Sequence, residues 1–499
     1  MRVVKTASGA RAVQIVYSNR AGKRDLEHVG SAHTDADLAA LKAAAWQRIA
    51  AGQPELDLRG VEPRPGSGTP LPITSSRMGA LLDALTHAYR VLGFEDATGG
   101  DDVFRGLVLA RLIEPTSKLD SIRVLDEAGL APPSYRTISR ALPRYATDAF
   151  RTKLAAACAQ RAALGPAALV LYDASTLYFE AHEGDGFREP GYSKERRLEP
   201  QITIGLLTDT AGFPLQLHAF EGNKAETKTM LPVIERFLTD HPVKDVTVVA
   251  DAGMLSHENR KKIVDAGLSY IIGQKVPEMP YVITQWKKDH PGTPVQDGQV
   301  WATPTYTGPA GDLREARIYY QYRAARARRT LHGIDEQVRK AETIAAGRAQ
   351  VKRNRFLTLT DEHREVNREL EQKARDLAGL KAYITSLPPD TADAEFVIAA
   401  YHQLWHVEKS FRMSKHDLAA RPIYHRLRES IDAHLTIVFA ALAIARHIEA
   451  TTGWSIKKFV TTARRYRHIT INANGHELTA ADPIPDDLAT AISAITDRH

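Results

Sequence analysis

The chain has 499 residues, 43% of them hydrophobic and 25% charged, which is the composition of a soluble globular protein and excludes a disordered or fibrous chain. Its length allows about two to four domains, each with an apolar core. The net charge of +6, with a pI near 9.1, is compatible with a polyanionic partner but does not establish one.

Neither secretion nor membrane insertion is indicated. Cys158 is the single cysteine, so an intrachain disulfide and a zinc site built mainly from cysteines are excluded. The N-terminus lacks a signal-peptide pattern. The longest apolar run, Leu435–Ala445, is about half of the ~20 residues that a membrane span needs. We therefore expect a cytoplasmic protein without a membrane partner.

Residues 1–75 are predicted to form a small α+β region followed by a linker. A short strand is expected at Ala12–Tyr17 and a helix near Asp35–Ala51. The segment Gly60–Thr74 contains four prolines and three glycines, which is typical of a linker.

Residues 76–165 show a helical pattern, and we predict that they form a DNA-recognition region. Helices over Val103–Ile113 and Ser117–Glu127, joined by a turn containing Pro115, could form a helix-turn-helix. A helical pair without a DNA role is the alternative, because the pattern shows no basic recognition face.

Alternating strand and helix signals begin at Ala167 and predict a mixed sheet with helices on its faces. Helices Glu226–Thr239 and Ser256–Ala266 fall between the later strands. We assign residues 166–273 to the first part of a catalytic core. The expected strands are 167–173, Gln201–Leu207, Leu215–Phe220, Asp245–Asp251 and Ser269–Ile272.

The strand-helix alternation stops after this core, and residues 274–392 are predicted to be an insertion domain. Helices over Ala394–Lys415 and Ser430–Glu449 then return to the sheet, so that residues 393–450 complete the core. Residues 451–499 are left as a C-terminal tail. Within the insertion, a long charged helix follows β segments at Val282–Thr284, Gln299–Thr305 and Arg314–Tyr322.

Three acidic residues stand in settings that suit a metal-dependent nuclease of the ribonuclease-H type. Asp173 and Asp251 each end an apolar run that predicts a buried strand, and Glu408 lies in a helical pattern. A carboxylate closing a hydrophobic strand costs free energy unless its charge is compensated. Magnesium compensates it well, because hard cations bind carboxylate oxygens. Two strand-end aspartates and a glutamate on a helix can converge and hold two metal ions.

The helix around Glu408 offers further groups for holding a scissile phosphate. Residues seven and fourteen apart share one face of a helix, as Tyr401, Glu408 and Lys415 do, and Arg412 lies beside them. One stripe therefore offers a phenol, a carboxylate and two cations. The alternative is an amphipathic helix whose charges are solvated.

Two basic segments are candidates for contact with a DNA backbone. Between Gly311 and Phe356 there are 12 Lys/Arg against 5 Asp/Glu, with tyrosines interleaved. Basic and aromatic side chains together suit phosphate contact and base stacking, whereas a solvated surface is the alternative. The residues concerned are Arg326, Arg328 and Arg329 in this segment, and Lys194, Arg196 and Arg197 before the strand at Gln201.

Six ordered segments over roughly residues 165–450 resemble bacterial insertion-sequence transposases of the DDE class, in the branch with a β-rich insertion before the glutamate. The segments are Tyr172–Phe179, Gly191–Arg197, Gly205–Leu215, Phe220–Asn223, Val249–Met254 and Tyr401–Lys415. The resemblance implies an α/β fold with a ribonuclease-H-like mixed sheet and flanking helices. That core is interrupted by a β-rich and helical insertion and preceded by a mostly helical N-terminal region.

The resemblance also implies the roles of the site residues. Asp173, Asp251 and Glu408 would be the metal-binding triad for two Mg²⁺ ions, which Mn²⁺ would replace. Tyr401 and Lys415 match the family's Tyr, Arg, Glu, Lys signature and would contact DNA phosphates near the cut. Leu404 stands at the arginine position, and Arg412 could substitute for it.

The sequence thus predicts a transposase that binds the terminal inverted repeats of an insertion sequence and moves it by cut and paste. Double-stranded DNA, as element ends and as target, is the expected partner, bound by a homodimer at the nucleoid of a bacterial cytoplasm. Two alternatives stay open: a ribonuclease-H-like nuclease without strand transfer, and a domesticated DNA-binding protein without catalysis.

Overall fold

The computed structural model describes residues 1–6, 9–18, 24–50, 71–165, 167–180, 183–191, 199–241, 243–254, 257–307, 314–359, 364–421, 423, 425–473 and 476–496. The chain divides into two compact units. One comprises residues 1–72 and 471–478, and the other comprises residues 73–470 and 479–499.

The smaller unit contains an antiparallel three-stranded sheet of order β1-β2-β3 and one helix. The predicted strand and helix of this region are confirmed, and most of the predicted linker lies outside the described residues. Val13 and Ile15 of the central strand pack with Leu38 and Ala45 of the helix, because alternate residues of a strand share one face. The elements are β1 (Arg2–Lys5), β2 (Arg11–Ser18), β3 (Arg24–Ala32) and α1 (Asp35–Ala50).

The larger unit begins with one strand and six helices. The predicted helices on either side of Pro115 are confirmed. The first of them begins where the Asp101 side chain accepts hydrogen bonds from the backbone N–H groups of Val103 and Phe104. The elements are β4 (Ile73–Arg77), α2 (Gly79–Val91), α3 (Phe94–Thr98), α4 (Asp102–Ile113), α5 (Asp120–Ala128), α6 (Tyr135–Tyr145) and α7 (Asp148–Ala162).

All five strands predicted after Ala167 are present. One helix follows the third strand and another follows the fourth. Buried apolar side chains lie on both faces of these strands, so helices cover the sheet on both sides. The elements are β5 (Leu169–Tyr178), β6 (Gln201–Thr208), β7 (Pro214–Glu221), α8 (Met230–Asp240), β8 (Thr247–Ala250), α9 (His257–Asp265) and β9 (Ser269–Gln274).

Residues 274–392 contain both helices and strands. The strand predicted at Val282–Thr284 is wrong: a helix begins after Pro280 and buries Ile283. β-Branched residues disfavour a helix only weakly, so this short run did not determine the local structure. The elements are α10 (Tyr281–Asp289), β10 (Val300–Thr307), β11 (Arg314–Tyr322), α11 (Ala324–Ala345), β12 (Leu357–Leu359), β13 (Arg364–Val366), α12 (Arg368–Asp376) and β14 (Leu380–Thr385).

One eight-stranded sheet of order β10-β11-β14-β9-β8-β5-β6-β7 organises the larger unit. β5, β8 and β9 are parallel to one another, and β6 and β7 continue antiparallel from β5. At the other edge, β14 pairs antiparallel with β9, and β11 pairs with both β14 and β10. Three strands of the predicted insertion therefore extend the central sheet, which gives a mixed α/β fold.

The C-terminal part of the chain is mainly helical. The helix α15 (Arg428–Thr452) is long and apolar enough to cross a membrane by length and composition, but 94% of its most apolar stretch is buried inside the protein. The last elements include two further strands. The elements are α13 (Ala394–His402), α14 (Leu404–Arg412), α15 (Arg428–Thr452), α16 (Ile456–Ala463), β15 (His468–Ala473), β16 (His476–Ala481) and α17 (Asp486–Thr496).

Candidate active site

The two aspartates lie at the same level of two neighbouring parallel strands, Asp173 within β5 and Asp251 directly after β8. β8 ends at Ala250, which is in register with Tyr172 of β5, so Asp251 follows β8 at the level of Asp173. The predicted strand end at Asp173 is wrong, because β5 continues to Tyr178. Pairing with β6 satisfies the backbone of that extension.

Glu408 reaches the same place from a helix that covers the sheet. Asp173 shares its face of β5 with Leu171 and Leu177, since side chains alternate along a strand. These two leucines belong to the same core cluster as Val407, a neighbour of Glu408 on α14. The sheet and the helix thus approach each other with their carboxylates at a common edge.

The predicted continuous helix over Ala394–Lys415 is interrupted. α13 ends at His402, α14 begins at Leu404, and a π-helical turn covers Met413–Asp417. The proposed stripe of side chains is therefore only partly retained. Tyr401 and Glu408 line one cavity, whereas Lys415 does not line it.

This acidic cavity has a volume of about 340 Å³ and contains all three acids. Asp251 and Glu408 are exposed and Asp173 is partly buried, so the carboxylates are accessible from solvent. Lys381 contributes a positive charge to the same space. The lining residues are Tyr172, Asp173, Asp251, Lys381, Tyr401, His402, Leu404, Trp405, Val407 and Glu408.

Tyr401 orients one of the carboxylates. Its hydroxyl donates a hydrogen bond of 2.6 Å to Oδ1 of Asp251, which also accepts 2.8 Å from the backbone N–H of Ala252. Burial, together with the hydrogen bond to Asp251, raises the pKa of Tyr401 above its ordinary value. The phenol therefore stays protonated and remains a donor at neutral pH.

Lys381 is a site residue that the sequence analysis missed. Its Nζ lies 4.2 Å from the ring centroid of Tyr401, which is within cation–π range. Burial lowers the pKa of Lys381, and the nearby carboxylates of Asp251 and Glu408 oppose that shift. A single lysine in a short strand gives no signal of its own, because only the pairing of β14 with β9 brings it near the aspartates.

The remaining phosphate-contact candidates differ in position. Arg412 is exposed and Lys415 is partly buried, and neither lines the acidic cavity. Leu404 is buried in the cavity wall, at the position where the family that the sequence resembles has an arginine. The candidates Lys194, Arg196 and Arg197 lie outside the described residues.

The basic run at the start of α11 divides into two parts. Arg326 is partly buried, donates a hydrogen bond of 3.3 Å to the carbonyl oxygen of Gly379, and acts electrostatically on Lys381. Arg328 and Arg329 are exposed. The first arginine thus supports the chain next to the acidic cavity, and the other two face solvent.

The chemistry of the acidic cavity fits a hard divalent cation, because its three acidic donors are all carboxylates. In the part of the chain that the structure describes, no three Asp, Glu, His or Cys side chains are already arranged around one ion position. The side chains of Asp251 and Glu408 are solvent-accessible, so a cation can reach them from solution.

Comparison with known proteins gives the family. Residues 165–444, more than half of the chain, match the family described as Transposase DDE domain. The chain belongs to this family. The family generally uses divalent metal ions. The match includes Asp173, Asp251 and Glu408, and it leaves the N-terminal helical region and residues 445–499 outside.

One solved structure shows a distant likeness. A cryo-EM structure of a piggyBac transposase synaptic complex with hairpin DNA has 12% sequence identity to this chain and a TM-score of 0.38. The alignment covers 77% of this chain and 70% of that chain. No curated protein matches.

Proposed function

We propose that this transposase-family protein moves an insertion sequence by binding its terminal inverted repeats and carrying out metal-dependent DNA cleavage and strand transfer. The observation that carries the proposal is the shared cavity of Asp173, Asp251 and Glu408 inside the family-matched region. Three carboxylates from distant parts of the chain, accessible from solvent, suit a reaction on a phosphodiester bond.

We propose a ribonuclease-H-like core for this site. The strand order β9-β8-β5-β6-β7, with β5, β8 and β9 parallel and β6 and β7 antiparallel, supports that assignment. In this arrangement the central strand β5 and its parallel neighbour β8 bring the two aspartates to one edge.

Asp173, Asp251 and Glu408 would hold two Mg²⁺ ions, and Mn²⁺ would substitute for them. When bound, such ions lower the pKa of an attacking water and stabilise the leaving oxygen of an in-line displacement. The protein's own groups prepare the site. Tyr401 fixes the orientation of the Asp251 carboxylate, and Lys381 offers a cation to a non-bridging phosphate oxygen.

Cleavage and strand transfer would take place one after the other in the same acidic cavity. After the first cut, the freed 3′ hydroxyl of the element would attack a target phosphodiester held in the place of the flanking DNA, and the target strand's own 3′ oxygen would leave as the new bond forms. Two ends must be cut together for the element to move, so we propose that a homodimer binds the double-stranded DNA. We place this activity at the bacterial nucleoid.

The test uses duplexes that carry the inverted repeats flanking the gene, together with a supercoiled target plasmid and Mg²⁺. Full-length protein should cut at the repeat end and join the 3′ end to the plasmid, and Asp173→Asn should do neither. Cleavage without joining would instead indicate a nuclease. Specific binding without cleavage would indicate a DNA-binding protein that has lost catalysis.

A further inference from the structure

A second cavity, of about 660 Å³, lies between the helical N-terminal part of the larger unit and the segment that precedes α15. It shares no lining residue with the acidic cavity. Arg111 of α4 and Lys118 of the α4–α5 connection line one side. Arg421 and Arg426 line the other, and the side chains of His425 and His434 complete the wall. We call this space the basic cavity.

The charge of the basic cavity is one-sided. Four of its lining residues are Lys or Arg, and none of those that the structure describes is Asp or Glu. A third cavity, lined by Arg446 and Lys409, shows the contrast, because Glu449 lines it too and forms ion pairs with both cations. In the basic cavity, by contrast, the described wall contains no carboxylate side chain.

The electrostatic surroundings of the two histidines agree with this description. Burial, then the charges of Lys118 and Arg111, lower the pKa of His425 to about 4. Burial also lowers the pKa of His434 well below its ordinary value, with Arg111 adding to the shift. Both imidazoles are therefore neutral near pH 7. An anion entering this poorly hydrated, positive space would be bound more strongly than one at an open surface.

The cavity also contains neutral hydrogen-bond donors. Ser117 and Ser430 line it, and Lys118 lies 5.4 Å from the ring centroid of Tyr135. Arginine, lysine and serine are the side chains that contact phosphate oxygens in protein–DNA complexes. The donor set therefore fits a phosphodiester group.

We propose that the basic cavity binds a backbone phosphate of the DNA that the acidic cavity cuts. This inference rests on the proposed function. The guanidinium of Arg421 lies 5.4 Å from the ring centroid of Tyr178, the last residue of β5. Asp173 precedes Tyr178 by five residues, roughly 17 Å along the strand. That length corresponds to about five base-pair steps of duplex DNA.

The first test inserts a negative charge at the rim of the cavity. Leu119 lines it and is 61% exposed, so Leu119→Glu adds a carboxylate without disturbing a core. A glutamate at this position also suits the N-terminus of α5, which favours folding. Leu119→Glu should weaken binding of end-containing duplex DNA by about tenfold, whereas the matched neutral variant Leu119→Gln should bind as wild type. Equal affinity of the two variants would overturn the proposal.

The second test removes positive charges and measures the salt dependence of binding. The double variant Lys118→Ala/Arg426→Ala should lower the log–log salt slope by about two units, one for each lost phosphate contact. Lys287→Ala/Lys288→Ala, which removes the same charge from the exposed end of α10, is the control. An unchanged slope in the first pair, or an equal loss in both pairs, would contradict a phosphate site here.

Two further measurements separate the alternatives. If inorganic phosphate raises the melting temperature of wild type but not of Lys118→Ala/Arg426→Ala, while both bind DNA equally, the cavity binds a small anion and the DNA proposal is wrong. Asp173→Asn, which should bind DNA without cutting it, gives the reference for the proposed function. Failure of wild type to bind or cut end DNA would refute that function, whereas normal cutting by all basic-cavity variants would refute only the present inference.

Discussion

Glu408 brings its carboxylate to the acidic cavity from a helix, whereas Asp173 and Asp251 come from the sheet. Its exposed side chain contributes little to packing, so its replacement should separate catalysis from folding. Glu408→Gln keeps the volume and removes the charge on which metal binding depends. We expect cleavage of end DNA in Mg²⁺ to fall by several orders of magnitude, with an unchanged melting temperature and, in Ca²⁺, DNA affinity within a few-fold of wild type.

The control for this prediction is Glu395→Gln on α13, since Glu395 is exposed and lies outside the acidic cavity. It should cut DNA at the wild-type rate. Substantial strand cleavage by Glu408→Gln would transfer the proposed role to another carboxylate. Double substitutions of the three acids should be little worse than the single ones, because the acids act as a unit.

Tyr401→Phe tests the orientation of Asp251. The substitution removes the 2.6 Å hydrogen bond but keeps the buried ring and its contact with Tyr383. Hydrogen bonds to charged groups contribute about 1.5–3 kcal/mol, so the cleavage rate should fall roughly tenfold to a hundredfold. Single-turnover cleavage measures this loss, and a higher Mg²⁺ concentration should recover part of it. A rate equal to wild type would show that the hydroxyl has no role in orienting Asp251.

Lys381 gives a prediction about charge in the acidic cavity. Lys381→Met keeps the length of the side chain and removes the cation that lies 4.2 Å from the Tyr401 ring. Loss of a charged contact to the scissile phosphate should slow cleavage by roughly tenfold to a hundredfold. Lys381→Arg should retain more activity than Lys381→Met in the same assay. Equal cleavage rates for Lys381→Met and Lys381→Arg would show that the charge of Lys381 has no role in cleavage.

At the scale of single elements, the local sequence patterns predicted the type and order of the helices and strands better than their lengths. Apolar runs placed β5 and β8 correctly, but nothing in the run ending at Asp173 indicated that β6 would pair with five further residues of the strand. Strand length depends on a partner that lies elsewhere in the chain. Similarly, no proline or glycine marks the break at Gln403 between α13 and α14, so helical periodicity predicted one helix.

The basic run at the start of α11 contains arginines with different surroundings. Arg328→Ala/Arg329→Ala removes two exposed charges, and the log–log salt slope of DNA binding should fall by about two units if this face follows the phosphates. Arg326→Ala should instead lower the melting temperature, because its hydrogen bond to the Gly379 carbonyl is lost. An unchanged slope for the double variant would assign these arginines to a solvated surface.

At the scale of the whole molecule, the local settings in the sequence singled out the three acids that share one cavity, but not the residues around them. Asp251 at the end of a strand was predictable from a short apolar run, whereas Lys381 joins the acidic cavity only through the pairing of β14 with β9. The basic cavity likewise brings together residues that are distant in the sequence, Arg111 of α4 and Arg426 before α15. Such long-range neighbours depend on sheet order and helix packing, for which a single sequence contains no local signal.

The burial of α15 gives a prediction for the stability of the larger unit. Leu442 is fully buried, and Leu442→Ala should lower the free energy of unfolding by about 2–5 kcal/mol. Leu427, which directly precedes the same helix, is 70% exposed, and Leu427→Ala should change the free energy of unfolding by less than about 0.5 kcal/mol. Urea unfolding followed by circular dichroism measures both. Equal effects would contradict the position of α15 in the core.

The long separation between the acids along the chain has a consequence during synthesis. The ribosome makes both aspartates and most of the sheet well before it makes Glu408, and at about 5–20 residues per second that delay is on the order of ten seconds. The strand β14, which carries Lys381, is also late. An unfinished chain, or one released early, therefore has the two aspartates but no complete acidic cavity. Under the proposed function, we expect such a chain to be inactive in DNA cleavage.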